Sequence, residues 1–259
     1  MKPALSVIKI GGNIIEDSTE LSRFLSSFSR VQGPKILVHG GGKKATSLSE
    51  KLGIKPSMVK GRRITDAQAL EVAIMVYAGL VNKTIVSKLQ ALQCNALGLS
   101  GADAAVIKAI KRPVKSIDYG FAGDIVSIRT KTLLSFLETG LVPVFCALTD
   151  DGQGQLLNTN ADTIASELAI ALSSEYRTTL YYCFEKPGVL ANVYDEASVI
   201  SHINKQAYYS LLREKQISEG MLPKLENCFH ALDHSVHKVC IGDITMLQAK
   251  SSNFTTLTL

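Results

Sequence analysis

Three short apolar runs in this sequence end at glycine and lead into stretches with helical spacing. Ser6-Val7-Ile8-Lys9-Ile10 stops at Gly11-Gly12, residues 35–39 stop at Gly40-Gly41-Gly42, and residues 96–99 stop at Ser100-Gly101. Further β-rich runs at 142–147, 179–184 and 238–241 alternate with helical patterns at 21–28, 43–51, 66–92, 130–139, 161–172, 204–214 and 222–235. Ser18 or Thr19 is the expected cap of the first of these helices, and Asn160 that of the helix at 161–172. Strands joined by helical crossovers run parallel, and a parallel sheet needs helices on both faces. The expectation is an α/β chain: a three-layer α/β/α sandwich with a mainly parallel open central sheet. Only 106–128, broken by Arg112-Pro113 and Gly120 to Gly123, reads as hairpins.

In such sheets ligands bind beyond the carboxyl ends of the strands, where the three glycine turns lie. Glycine lets backbone N–H groups approach an anion, so a phosphate-bearing ligand is the first expectation. Two common fingerprints fail. Gly42-Lys43 is followed by Lys44, with no glycine five residues before Gly42, so there is no P-loop. Gly40 and Gly42 lead to Ala45, so the dinucleotide pattern is missing too.

Composition narrows the partners. The 259 residues are 46% hydrophobic and 20% charged, too apolar for disorder. Net charge is +5, from 28 basic and 23 acidic residues spread along the chain, which favours a small anionic substrate over nucleic acid. The five cysteines are odd in number and lack metal-ligand or redox spacing, so a reducing, cytoplasmic compartment is expected. The chain enters an apolar strand by Leu5 without a signal-peptide pattern, and the longest apolar stretch, 72–81, is too short to span a bilayer. No membrane partner is expected.

Individual residues sharpen the reading. Lys9 sits inside an apolar run, where lysine is rare without a partner. It is read as a cation aimed into the ligand crevice. Asn158-Thr159-Asn160-Ala161-Asp162 opens one helix and Gly220-Met221-Leu222-Pro223-Lys224 another. Taken singly, Asp162 is a good first-turn acid and Lys224 an ordinary surface lysine.

Together these segments, with His39-Gly40-Gly41-Gly42 and Gly61-Arg62-Arg63-Ile64-Thr65, resemble the amino-acid kinase family. The resemblance covers nearly the whole chain, in order. Within the family it is to the branch that acts on an N-acylated glutamate in arginine biosynthesis, for which Arg63 and the 158–162 motif are the more specific signals.

The resemblance implies transfer of the γ-phosphoryl group of ATP to the side-chain carboxylate of N-acetyl-L-glutamate, giving N-acetyl-L-glutamyl 5-phosphate without a covalent enzyme intermediate. It implies that Lys9 and Lys224 stabilise the transferring phosphoryl group and that Asp162 holds both ammonium groups. Gly11 and Gly12 would supply N–H donors, as would Gly41 and Gly42, which also line the substrate pocket. Arg63 would pair with the substrate α-carboxylate and Asn158 with its amino-acid portion. The nucleotide would lie over Glu185-Lys186-Pro187-Gly188-Val189-Leu190 and Gln216-Ile217-Ser218. Mg²⁺ would arrive with ATP, held mainly by phosphates and water, and no protein metal ligand is expected.

Two positions depart from the family pattern. Relatives commonly carry Thr-Asp or Ser-Asp, then Val, where this chain has Phe184-Glu185-Lys186, and an apolar residue where it has Arg62. Two alternatives accompany the reading: the same reaction on N-succinyl-L-glutamate, and a non-catalytic nucleotide or amino-acid sensor. The second is opposed by the joint retention of Lys9, Asp162 and Lys224.

The expected organisation is a substrate and dimerisation lobe at 1–175 and a nucleotide lobe at 176–259. Arginine-inhibited relatives carry an extra N-terminal helix that links dimers, and only residues 1–4 precede the first strand here. The expectation is therefore an arginine-insensitive homodimer. Its interface would use the stripe Ile74, Tyr77, Ala78 and Val81 on the long helix.

Overall fold

The first apolar run forms strand β1 (Ala4–Ile10), and its glycine turn leads at once into a short helix, α1 (Gly12–Glu16). The computed structural model describes residues 2–59, 61–192, 194–214, 221–248 and 253–259. Helix α2 (Ser18–Ser29) is capped not by Ser18 or Thr19 but by Asp17, whose carboxylate accepts from the N–H groups of Thr19 and Glu20 at 2.8 and 3.1 Å. A charged acceptor one residue earlier satisfies two open donors and complements the positive helix end. Then come β2 (Lys35–His39), α3 (Gly42–Lys51), β3 (Ser57–Val59), β4 (Arg62–Ile64), a long helix α4 (Ala67–Ala91) and β5 (Ala96–Leu99). The middle of the chain forms β6 (Ile107–Lys111), β7 (Gly123–Ile128), α5 (Thr130–Glu138), β8 (Val142–Phe145), β9 (Leu148–Asp150), β10 (Leu156–Asn158) and α6 (Ala161–Leu172). The last part forms β11 (Arg177–Cys183), β12 (His202–Ile203), α7 (Lys205–Arg213), α8 (Leu222–Asp233), β13 (Lys238–Gly242) and β14 (Thr255–Leu257).

Contacts divide the chain into two compact units, 1–36 with 165–259, and 37–164. The reason is strand pairing. β1 runs parallel to β11 along its whole length, from Ala4 opposite Arg177 to Ile10 opposite Cys183, so the first strand groups with the C-terminal part of the chain.

In the unit holding both termini the strand order is β12-β14-β13-β11-β1. β1, β11 and β13 are parallel, and only β14 against β13 is antiparallel. Strand β14 was not anticipated from the sequence. The core is built from fully buried Val7, Ile8, Ile10, Leu180, Val239 and Ile241, with Phe24, Leu25 and Phe28 of α2. Each such side chain contributes roughly 1.5–3 kcal/mol on burial.

In unit 37–164, β2, β8 and β5 form a parallel set in the order β2-β8-β5. A second sheet, β10-β9-β6-β7, contains the antiparallel pair β6–β7 expected from the sequence and the antiparallel pair β9–β10. β3 and β4 form a separate hairpin. The mainly parallel α/β organisation is the one the sequence predicts.

Helix α4 is capped by Asp66, whose carboxylate accepts from the Ala69 N–H at 2.8 Å. Its middle, Ile74–Val81, is π-helical. With 25 residues α4 is long and apolar enough to cross a membrane, whereas the ten-residue apolar run gave the opposite expectation. Burial of Val72, Ala73, Val76, Tyr77, Val81, Ile85 and Leu89 marks it as a core helix instead. The apolar stripe expected at an interface divides in two. Tyr77 and Val81 are buried and face the Gly41 turn, and only Ile74 and Ala78 of that stripe are partly exposed.

Candidate active site

β2 ends at His39, which is fully buried. Its Nδ1 lies 2.8 Å from the carbonyl oxygen of Gly40, and its Nε2 lies 3.0 Å from the side-chain nitrogen of Asn82 on α4. Asn82 also donates to the Val144 carbonyl of β8 at 2.9 Å. Burial pushes the His39 pKa down to about 4, against the smaller opposing effect of its bond to Gly40. The ring is therefore a neutral structural element.

The turn continues through Gly41, the N-cap of α3, to Gly42, its first residue. The first N–H groups of a helix have no intrahelical partner, so this end presents donors to an anion. A side chain at Gly41 has no room: its Cβ would lie 2.8 Å from Tyr77 Cδ1 and 3.5 Å from Val81 Cγ2. The Gly41-Gly42 pair expected at the substrate pocket is thus a donor turn pressed against α4.

Arg63, in β4, is brought to the same turn. Its guanidinium donates to the Gly42 carbonyl at 3.0 Å and to Thr46 Oγ1 of α3 at 2.6 Å. It is also hydrogen-bonded to the Tyr77 hydroxyl. Burial raises the Tyr77 pKa, while the Arg63 charge and hydrogen bond oppose that rise. These contacts hold the guanidinium at the turn, and a planar fork of this kind is a group that can also pair with a carboxylate. Tyr77 is a site residue that sequence reasoning missed, because its helical spacing made it look like one member of an apolar stripe.

Asn158 ends β10. Its amide donates to Thr65 Oγ1 at 3.0 Å, and Thr65 Oγ1 lies 3.3 Å from the Arg63 carbonyl. The backbone repeats the link: Thr65 N–H to Tyr119, Phe121 N–H to Thr65, and Asn158 N–H to Phe121, at 3.0, 2.7 and 2.8 Å. Gly120, at φ +65°, has to be glycine here, because a Cβ would run into the Thr65 carbonyl. Arg63 and Asn158, 95 residues apart in number, thus belong to one hydrogen-bonded cluster. Asn160 caps α6 as expected, accepting from Asp162 and Thr163 N–H at 2.7 and 3.2 Å. Asp162 stands in the first turn of α6 with Oδ1 buried.

In the unit holding the termini, Lys9 lies half-buried on β1 opposite Tyr182. Gly11 and Gly12 were expected to act alike and do not. The Gly11 N–H donates to the Cys183 carbonyl at 2.9 Å, extending the β1–β11 ladder, and so is committed to the sheet. Gly12 is the first residue of α1, where its N–H has no intrahelical acceptor. The third glycine turn is closed as well: Gly101 is buried, with its N–H on the Leu148 carbonyl at 2.7 Å.

The departure at Phe184 acquires a structural role. Lys224, near the start of α8, places Nζ 5.2 Å from the Tyr182 ring centroid and 5.8 Å from that of Phe184. Two aromatic faces thus flank the ammonium group. Along 185–190, Glu185 is exposed, Lys186 pairs with Glu196 at 2.7 Å, and Leu190 is half-buried. Pro187, Gly188 and Val189 are buried, so they support the segment rather than present side chains. Val189 N–H donates to Thr255 Oγ1 of β14 at 2.8 Å, and a Cβ on Gly188 would lie 2.7 Å from that oxygen. Gln216, Ile217 and Ser218 lie outside the described residues.

In unit 37–164 a donor turn at a strand end has a guanidinium fork beside it, and in the other unit one lysine stands on a strand and another near a helix start; each is a group suited to anions. Residues 4–243 match the amino acid kinase family, and the chain belongs to that family. It is 52% identical over 241 residues to the acetylglutamate kinase of Bacteroides fragilis, covering 93% of this chain and 92% of that protein. Among solved structures, a Streptococcus mutans UA159 protein superposes with a TM-score of 0.77 at 25% identity, covering 98% of each chain. Giardia lamblia carbamate kinase bound to AMP-PNP gives 0.69 at 14% identity, covering 99% of this chain and 98% of that one, a likeness of fold alone.

Proposed function

We propose that this chain phosphorylates the side-chain carboxylate of N-acetyl-L-glutamate with ATP, as a step of arginine biosynthesis. The observation that carries this is the Arg63–Thr65–Asn158 cluster beside the Gly41-Gly42 donor turn, in a chain 52% identical to an acetylglutamate kinase. A carboxylate oxygen attacks the γ-phosphorus, the bond to the β-γ bridging oxygen breaks, and ADP leaves with that electron pair. The nucleophile carries no proton, so no general base is needed. Catalysis is then positioning and charge stabilisation.

In this reading Arg63 binds the α-carboxylate and Asn158 the amino-acid portion of the substrate. Gly41, Gly42 and Gly12 direct N–H groups at the reacting oxygens. Lys9 and Lys224 stabilise the transferring phosphoryl group, and Asp162 orients the two ammonium groups. ATP enters as its Mg²⁺ complex, with Glu185, Lys186 and Leu190 contributing to the nucleotide surface. The metal would be held mainly by phosphates and water.

The same reading includes a homodimer formed through α4. Its Met75 and Leu80 are 51% and 60% exposed, beside partly exposed Ile74 and Ala78. It also includes a reducing, cytoplasmic location, consistent with the burial of all five cysteines.

The test is acyl-phosphate trapping by hydroxylamine with MgATP and glutamate, N-acetylglutamate or N-succinylglutamate. Hydroxamate from the N-acetyl substrate at the highest kcat/KM is expected. Preference for the succinyl substrate would reassign the acyl group, and no hydroxamate from any substrate would remove the kinase reading.

A further inference from the structure

Hydrogen-bond logic fixes every proton around His39. The Val144 carbonyl can only accept, so the atom of the Asn82 amide 2.9 Å from it is the NH₂ nitrogen. That same nitrogen faces His39 Nε2 at 3.0 Å and must donate there, so Nε2 carries no hydrogen. The proton of the neutral ring is then on Nδ1, which donates to the Gly40 carbonyl at 2.8 Å. The remaining Asn82 oxygen accepts from Lys83 Nζ at 3.3 Å. A Cβ on Gly98 would collide with that oxygen, so β5 carries glycine where the amide passes.

The π-helical stretch makes this arrangement possible. In a helix of 3.6 residues per turn, positions five apart point about 140° away from each other. Across Ile74–Val81 the bonding widens, and the Asn82 N–H reaches the Tyr77 carbonyl five residues back. Tyr77 and Asn82 therefore address the same turn, the first through Gly41 and the second through His39.

We propose that His39 and Asn82 form a buried positioning relay that sets the direction of the Gly41 N–H. The Gly40–Gly41 peptide is trans, so its C=O and N–H point in opposite directions. With the carbonyl drawn inward to His39, the N–H is turned outward, toward the oxygens of the reacting groups. The inference rests on the kinase reading, in which Gly41 is one of the donors. Neither His39 nor Asn82 touches substrate; both act through the glycine peptide. A donor aligned before the reaction needs no reorganisation as charge develops on the phosphoryl oxygens.

The test compares His39→Leu, Asn82→Leu and His39→Asn with the wild-type chain under saturating MgATP and N-acetylglutamate. Asparagine keeps a donor near the Nδ1 position; leucine keeps only bulk. Both leucine variants should lose about 30–100-fold in kcat, the scale of a misplaced catalytic contact, with KM within about threefold. His39→Asn should lose under about tenfold. Leucine variants within about threefold of wild-type kcat, or an asparagine variant no better than leucine, would overturn the relay. Should the leucine variants not fold, nitrogen-15 NMR of the wild-type imidazole decides. A neutral Nδ1–H ring from pH 5 to 9 supports the relay, and an Nε2–H ring or titration near 6.5 overturns it. A wild-type chain that makes no acyl phosphate would sink the kinase reading instead, and the ring tautomer would still report on the relay.

Discussion

The ring of Tyr77 lies so close to Gly41 that a Cβ on the glycine would sit 2.8 Å from Cδ1 and 3.1 Å from Cε1. The Gly41 turn and helix α4 are thus one packing unit, and glycine is required for the contact. Gly41→Ala should destabilise the chain by about 1–3 kcal/mol, the usual scale of overpacking, and should disturb Arg63 through the Tyr77 hydroxyl. In a Tyr77→Ala background the same substitution should cost far less. Denaturant melts of the four proteins give the coupling directly. Equal costs in both backgrounds would show that the ring is not what excludes the side chain.

Arg63→Lys keeps the charge and loses the fork. The lysine cannot hold Gly42, Thr46 and Tyr77 while pairing with a carboxylate in two places. KM for N-acetylglutamate should rise about 10–100-fold, corresponding to a charged hydrogen bond worth ~1.5–3 kcal/mol, while KM for ATP stays nearly constant. Parallel changes in both KM values would place Arg63 elsewhere.

Lys9→Ala and Lys224→Ala should each lower kcat by ~10²–10³ with smaller effects on KM. Asp162→Asn should also be slow yet folded, because the Asn160 cap remains. Phe184 tests the flanking of Lys224 by aromatic rings. Phe184→Leu should lower kcat several-fold, in line with a cation–π contact of ~0.5–2 kcal/mol. In the Lys224→Ala background it should do nothing more; an undiminished effect there would mean that Phe184 acts independently of the lysine.

His39 also predicts a pH dependence of stability. Its pKa is about 4 in the folded chain against 6.5 as the ordinary value. Between those values the unfolded chain binds a proton that the folded chain refuses. The contribution is therefore intact above pH 6.5 and is lost as pH falls toward 4. The full difference is on the order of 3 kcal/mol. Urea melts at pH 7.5 and 4.5 should show a fall in stability that is smaller by about this amount in His39→Asn. An identical fall in both proteins would remove the assignment.

The sequence by itself determined the α/β alternation, the glycine turns at the ends of β1 and β2, the Asn160 cap and the candidacy of Lys9, Arg63, Asn158, Asp162 and Lys224. Those features are written in adjacent residues: strand period, turn chemistry, helix caps and ordered motifs. Tertiary structure decided the rest. It gave the Gly11 N–H to Cys183 and set Gly12 at the start of α1, buried Pro187 to Val189 against β14, and turned Tyr77 and Asn82 from an apolar helix pattern into partners of the Gly41 turn. Local periodicity assumes 3.6 residues per turn, so it cannot reveal a π-helical stretch that rotates two side chains onto one face. The bonds that build the site join residues 21, 43 and 93 positions apart, and no local pattern encodes which distant carbonyl a donor will meet. Packing settles that, because a buried polar group must find its partner wherever the folded chain brings one.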